Sequence, residues 1–282
     1  MSGRSDPFVH ARGGLTMPRL GQGTWRMGER RAARTAEVAA LKVGLDLGMT
    51  LIDTAEMYGS GDAEEIVAEA IQGRRDRVFL VTKVLPENAS RQGTLAACER
   101  SLKRLKTDRI DLYLLHWQGS HPLAETLEAF ERLVEGGKIR FFGVSNFDCA
   151  AMKALERLRS GSSVVCNQVM YAPSRRGIEW DLLPWCEKNK VAVMAYSPLD
   201  RGRLAGHPVL AAIGVRHNVT PEAVAIAWTM RTALLVSIPK ASDAAHVKAN
   251  AAALELELAP QDLSELDRAF PPPRGAAPLD IV

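Results

Sequence analysis

Eight short runs, most of them rich in β-branched and aromatic residues, alternate along this chain with segments of helical periodicity, and that alternation constrains the fold more than any other feature. The runs are GQGTW (21–25), TLIDT (50–54), VFLVTK (78–83), IDLYLLH (110–116), IRFFGVS (139–145), VVCNQVMY (164–171), VAVMAYS (191–197) and LLVSIPK (234–240). A strand reaches a parallel neighbour only through a crossover, so strands taking turns with helices favour a parallel sheet, and eight repeats close it. The expected fold is α/β, a (β/α)8 TIM barrel. Ahead of it, FVHARGGLTMPRLG (8–21) reads as an N-terminal β-hairpin turning at Gly13 and Gly14, placed to plug the bottom of the barrel.

The intervening segments support this reading. Leu95, Cys98, Leu102 and Leu105 recur at spacings of three and four, as do Leu123, Leu127, Phe130 and Val134, so each segment has one apolar stripe to bury against a sheet. Helix starts are marked by Ser90, by Asp148, and by Thr220 followed by Pro221; stops are marked by Gly48, Gly73 and Gly136. No composition shift or Ser/Gly linker divides the chain, so 1–282 is expected to form one barrel domain. Residues 1–7 are expected to lack order, and 271–282 to form a tail near the substrate pocket. A formal net charge of +3, with basic residues scattered and not interleaved with aromatics, excludes a nucleic-acid surface. Cys98, Cys149, Cys166 and Cys186 show no CxxC spacing and suit free thiols in a reducing cytoplasm, with no metal bound. With no apolar leader, no membrane-length apolar stretch and no heptad seam, the chain is expected to be cytoplasmic, away from membranes, and a monomer.

Chemistry is suggested at one end of the strands. Asp53, Tyr58, Lys83 and His116 each stand at or just beyond the C-terminal end of a run, the end at which barrel side chains converge on a substrate. Singly, each has a plainer explanation: a turn cap for Asp53, packing for Tyr58, a solvated strand end for Lys83, a core imidazole for His116. Their recurrence on successive strand ends is not explained that way. An acid, a phenol, an amine and an imidazole at one mouth suit proton transfer, because a cation beside a phenol lowers its pKa and a carboxylate anchors the cation.

The segments LIDTAEMYG (51–59), TKV (82–84), DLYLLHW (111–117), GKIRFFGVSNF (137–147) and IPKASDAAHVKAN (238–250) together resemble the aldo-keto reductase family over nearly the whole chain, most of all bacterial members of the diketogulonate and methylglyoxal reductase type. The resemblance implies Tyr58 as general acid, Lys83 as its pKa-lowering neighbour, Asp53 as the partner of Lys83, and His116 as the group that orients a substrate carbonyl. It also implies a nicotinamide cofactor at the mouth. Ser145, Asn146 and Gln168 would bond the carboxamide and Tyr196 would stack on the ring, while Gly23, Thr24, Trp25 and Asp53 complete the inner set. A loop carrying Ser197, Leu199 and Arg201 would fold over the pyrophosphate. Lys240 and Ser242 would take phosphate, Ser242 standing at a helix start, and His246 and Asn250 would meet the adenine end. GQGTWRMG (21–28) does not fit GxGxxG and follows a hairpin, so a Rossmann site is rejected.

Where many members of the family carry Arg, this chain has His246, with Asp243 adding an unfavourable charge nearby. NADPH is therefore expected as cofactor, with NADH usable more weakly. Trp25, Met57, His116 and Trp117 are expected to line the substrate pocket, and the short PPPRGAAPLDIV tail (271–282) leaves it open. The reading is an NADPH-dependent reductase that turns small aldehydes and ketones, a methylglyoxal-like compound foremost, into alcohols. Two rivals stay open: a lyase using Lys83 as a Schiff base, and a cofactor-sensing binding protein of slow turnover.

Overall fold

A computed structural model describes residues 6–281. Residues 1–5 lie outside the described part, whereas Asp6 and Pro7, expected with them to lack order, are tied in. Asp6 Oδ1 accepts from Phe8 N at 2.9 Å, and Pro7 O from Arg19 N at 3.0 Å. Strands β1 (Phe8–His10) and β2 (Thr16–Pro18) form the expected antiparallel hairpin around a turn at Arg12–Gly14. The eight expected strands follow as β3 (Gly21–Gly23), β4 (Leu51–Asp53), β5 (Phe79–Val84), β6 (Ile110–Leu115), β7 (Ile139–Ser145), β8 (Cys166–Met170), β9 (Ala192–Tyr196) and β10 (Leu235–Ser237). They pair in parallel in chain order, and bridges from Leu20 to Ser237 and from Gly23 to Lys240 close the sheet on itself. The first and last strands are shorter than expected. Pro239 has no N–H to pair, and after Gly23 the chain turns, Met27 N donating to Thr24 O at 2.9 Å.

Around the barrel lie α1 (Arg34–Asp46), α2 (Asp62–Ala70), α3 (Arg91–Leu105), α4 (Leu123–Glu135), α5 (Cys149–Glu156), α6 (Leu182–Lys188), α7 (Pro208–His217), α8 (Pro221–Thr229), α9 (Ala244–Ala251) and α10 (Pro260–Ala269). Ser90, Asp148 and Thr220 cap as expected, accepting from Gly93 N, Ala151 N and Ala223 N. Three details differ. The left-handed turn after α4 falls on Gly137 (φ 68°), not Gly136 (φ −78°); α4 buries Leu133 and leaves Val134 39% exposed; and α9 is capped by Asp243, not Ser242.

Two cores follow from strand alternation. Outward-facing residues such as Ile52, Leu80, Tyr113, Phe142 and Val193 meet the helices, while Leu51, Val81, Leu112, Leu114, Cys166, Met194 and Val236 fill the barrel with Val9, Leu15 and Met17 of the hairpin beneath them. Following the inward series upward, Asp53, Lys83, Ser145, Gln168 and Tyr196 stand at or near the ends of β4, β5, β7, β8 and β9, with His116 one residue past β6 and Lys240 three past β10. The barrel is thus apolar below and polar at its mouth.

Gly143, two residues below Ser145, lets β7 approach β8 closely; a Cβ there would lie 2.5 Å from Cys166 O and 2.7 Å from Leu114 Cδ2. Backbone in a closed sheet cannot give way cheaply, so Gly143→Ala is expected to lower stability by about 1–3 kcal/mol. Urea denaturation checks this, and an unchanged midpoint would show that the strands can part.

Candidate active site

Lys83 is the centre of the site. Its side chain is fully buried in the barrel, and its Nζ donates to Asp53 Oδ2 (2.8 Å), to the Thr54 carbonyl (2.8 Å) and to Tyr58 Oη (3.3 Å). β4 and β5 are neighbours in register, which brings Asp53 and Lys83 together, and the turn after β4, Tyr58–Gly61, carries the phenol back over the amine. His116 follows β6 on the other side of β5, its ring edge-on to Tyr58 with centroids 5.8 Å apart. The four expected catalytic groups are therefore in one cluster.

Their protonation follows from burial and neighbours. Burial alone works against the Lys83 charge, but Asp53 and Tyr58 outweigh it and hold the ammonium above its ordinary value. For Tyr58 the balance is the reverse of the sequence expectation. Burial raises the phenol above its ordinary value, with Asp53 adding to the rise, and Lys83 only partly pulls it back, so the phenol keeps its proton at neutral pH. Burial, assisted by the Lys83 charge, pushes His116 down to about 2, so the imidazole is neutral. Its Nδ1 is buried without a partner among the described residues; a proton there would be an unsatisfied buried donor, so the proton belongs on Nε2.

A second polar group adjoins the first. Ser145 Oγ donates to Gln168 O (2.9 Å), and Asn146, left-handed at φ 61°, donates from Nδ2 to His116 O (3.1 Å) and accepts at Oδ1 from Tyr196 Oη (2.9 Å). The side chain of Gln168 crosses the barrel to Asp53 Oδ1 (2.7 Å). Thr24 is buried, its hydroxyl donating to Asp53 O at 2.9 Å, which secures the strand end. Gly23 sits where a Cβ would press Ile238 O at 2.9 Å.

The loop after β9 reaches back over the mouth. Ser197, Asp200 and Arg201 are all left-handed (φ 50°, 45°, 57°), Leu199 packs on the core, and the Arg201 guanidinium lies 5.4 Å from the centre of the Trp25 ring. Lys240 Nζ donates to Ser242 Oγ (3.2 Å), His246 is exposed with its Nδ1 on Asp243, and Asn250 is buried on α9. Trp25 and Trp117 are half-buried at the rim, the latter packed on His116, and Met57 is 40% exposed. From the tail, Asp280 Oδ1 accepts from Arg175 Nη1 (3.3 Å), which places this end of the chain on the loop after β8.

Residues not singled out from sequence also shape the site. Thr54 acts through its carbonyl, which no side-chain pattern reveals. Glu56 is buried, accepting from Leu85 N (2.7 Å) and Asn88 Nδ2 (2.9 Å), and so pins the segment after β5; a second carboxylate between Asp53 and Tyr58 was its available signal. Asp200, also buried, ties the overlying loop to Ser174 Oγ (3.0 Å). Arg26 lies on Trp25 at 4.8 Å.

Known proteins carry the same fold and a similar sequence. The chain is 50% identical to methylglyoxal reductase YeaE of Escherichia coli (strain K12) over 98% of its own length and 99% of that protein's, and 33% identical to a glyoxal reductase of Bacillus subtilis (strain 168) over 92% and 91%. The crystal structure of an aldo/keto reductase from Klebsiella pneumoniae in complex with NADP and acetate superposes with a TM-score of 0.96 at 47% identity, covering 99% of this chain and all of that one. Residues 19–270 match the Aldo/keto reductase family, and the chain belongs to it.

Proposed function

We propose that this protein is an NADPH-dependent carbonyl reductase that converts small aldehydes and ketones, methylglyoxal-like dicarbonyls foremost, into alcohols. The observation that carries this reading is the buried Lys83 ammonium hydrogen-bonded at once to Asp53 and Tyr58 beneath a neutral His116. The names of the relatives, methylglyoxal reductase and glyoxal reductase, support the substrate class, and the NADP complex of the Klebsiella protein supports the cofactor.

The residues present fit a nicotinamide dinucleotide. Gln168 Oε1 accepts from none of the described residues, Ser145 Oγ, which accepts from Asn146 Nδ2 at 3.2 Å, keeps one further lone pair, and the Tyr196 ring suits stacking, which together fit an amide on a planar ring. Arg201, Lys240 and Ser242 would hold the phosphates, with His246 and Asn250 at the adenine end. When bound, the cofactor supplies hydride to the carbonyl carbon. Tyr58 gives its proton to the carbonyl oxygen, Lys83 stabilises the phenolate left behind, and His116 Nε2–H holds that oxygen in line. Trp25, Met57 and Trp117 are the apolar walls. A Schiff-base role for Lys83 conflicts with an ammonium held above its ordinary value, and an intact proton donor favours turnover over sensing.

We further place 1–282 as one catalytic domain acting as a monomer in the cytoplasm. Among the described residues no helix is long and apolar enough to cross a membrane, and the four buried thiols suit a reducing compartment.

Tyr58→Phe is expected to slow carbonyl reduction by about a hundredfold or more while cofactor affinity stays near normal, as read by fluorescence quenching. Retained turnover would remove Tyr58 from the mechanism. Because Tyr58 stands above its ordinary value and His116 is neutral, single-turnover reduction should be flat between about pH 6 and pH 9 and fall only in stronger alkali. A limb near pH 6.5 would instead implicate a protonating imidazole.

Cofactor choice gives a separate test. Asp243 Oδ2 engages His246 Nδ1 while Oδ1 caps α9, so the imidazole is tethered and Lys240 is the principal cation for a 2′-phosphate. Lys240→Ala should reduce the preference for NADPH over NADH by about tenfold, and His246→Arg should tighten NADPH alone, as measured by dissociation constants for both cofactors. Equal tightening of both would show that position 246 reads adenine only.

A further inference from the structure

Gln168 lies on β8, four strands from β4 in the sheet order and so on the opposite wall of the barrel, yet its side chain meets Asp53. A carboxylate only accepts, so the amide nitrogen is the atom that faces it, at 2.7 Å from Oδ1. The other N–H points at Met194 Sδ, a weak acceptor, at 2.9 Å. The residue is 2% exposed, and its backbone carbonyl is fixed by Ser145 Oγ and Asn146 N. Asp53 therefore divides its two oxygens between Lys83 and Gln168.

That division bears on the proton donor. Negative charge on Asp53 makes the neighbouring phenol harder to ionise and draws Lys83 away from it. An N–H donated to Oδ1 drains part of that charge, and an amide that accepts at its oxygen donates more strongly at its nitrogen. We propose that Gln168 is a positioning residue for the proton donor: its Nε2 steadies Asp53 while its Oε1 takes the cofactor's carboxamide, so that cofactor occupancy eases ionisation of Tyr58. The inference rests on the assignment of Tyr58 as proton donor given above. The ionisable groups facing the network are Asp53 from β4, Tyr58 from the turn after it, Lys83 from β5, His116 after β6 and Cys166 on β8. Of these His116 is neutral, and burial pushes the Cys166 thiol far up.

The test is the pH dependence of turnover in both directions for wild type and Gln168→Met, with cofactor dissociation constants measured in parallel by fluorescence and folding checked by thermal unfolding. Loss of the charge-assisted bond should move the acid limb of alcohol oxidation and the alkaline limb of carbonyl reduction upward together by about one pH unit, which a merely structural lesion would not do. Unmoved limbs with weakened cofactor binding would overturn the coupling while leaving Gln168 a carboxamide ligand. Unmoved limbs with unchanged binding would overturn both roles. If the variant does not fold, the wild-type enzyme decides: a cofactor whose carboxamide is replaced by an acetyl group should shift the limbs in the same direction, and identical limbs would refute the proposal. Limbs that survive in Tyr58→Phe would instead refute the assignment of the proton donor.

Discussion

A lysine ammonium held inside a closed barrel is the constraint on which the rest of this structure depends. Taking such a charge out of water costs several kcal/mol even after relaxation, so Lys83 is tolerable only if it is paired and its N–H bonds are satisfied. Asp53, the Thr54 carbonyl and Tyr58 use the three. Each partner comes from β4 or the turn that follows it, so the register between β4 and β5 is also what holds the ion pair together. Removing Asp53 would leave the ammonium without a counter-charge in the interior, which ties the chemistry of the mouth to the integrity of the barrel.

The same alternation of side chains that makes the core makes the site. One parity of each strand faces helices and is apolar. The other faces the barrel axis, apolar where it meets the hairpin residues Val9, Leu15 and Met17, and polar toward the mouth. The polar layer then divides by chemistry: Asp53, Tyr58, Lys83 and His116 manage a proton, while Ser145, Asn146, Gln168 and Tyr196 present amide-bonding groups and a ring face. Gln168 belongs to both sets through its bond to Asp53. Charge and donor are thereby held by strands and their immediate turns, and the loop after β9 that carries Arg201 is left to shape access.

Much of this was legible in the sequence because it depends on local pattern. All eight barrel strands and the hairpin were visible as runs and turn signals, and Asp53, Tyr58, Lys83 and His116 as polar residues at run ends. What escaped involves backbone or distance. The Thr54 carbonyl carries no side-chain signature, and the bond from Gln168 to Asp53 spans 115 positions across a barrel whose closure no local pattern describes. The direction in which the Tyr58 phenol is displaced was misjudged because a neighbouring cation can be read from sequence and desolvation cannot. At helix ends the errors were of one residue. Gly137 takes the left-handed turn assigned to Gly136, Leu133 the buried place of Val134, and Asp243, whose carboxylate reaches two N–H groups, the cap expected of Ser242.

The central claim is that Asp53 supports the reaction only through Lys83, its direct effect on Tyr58 being to hold the proton on the phenol. A double-mutant cycle on single-turnover carbonyl reduction, using Asp53→Asn, Lys83→Met and the combined variant, tests it most directly. If the two act as one unit, Asp53→Asn should slow the wild-type enzyme strongly and change the rate little once Lys83 is gone. Full additivity of the two losses would contradict the account, because it would mean that Asp53 supports catalysis by a route that does not pass through Lys83.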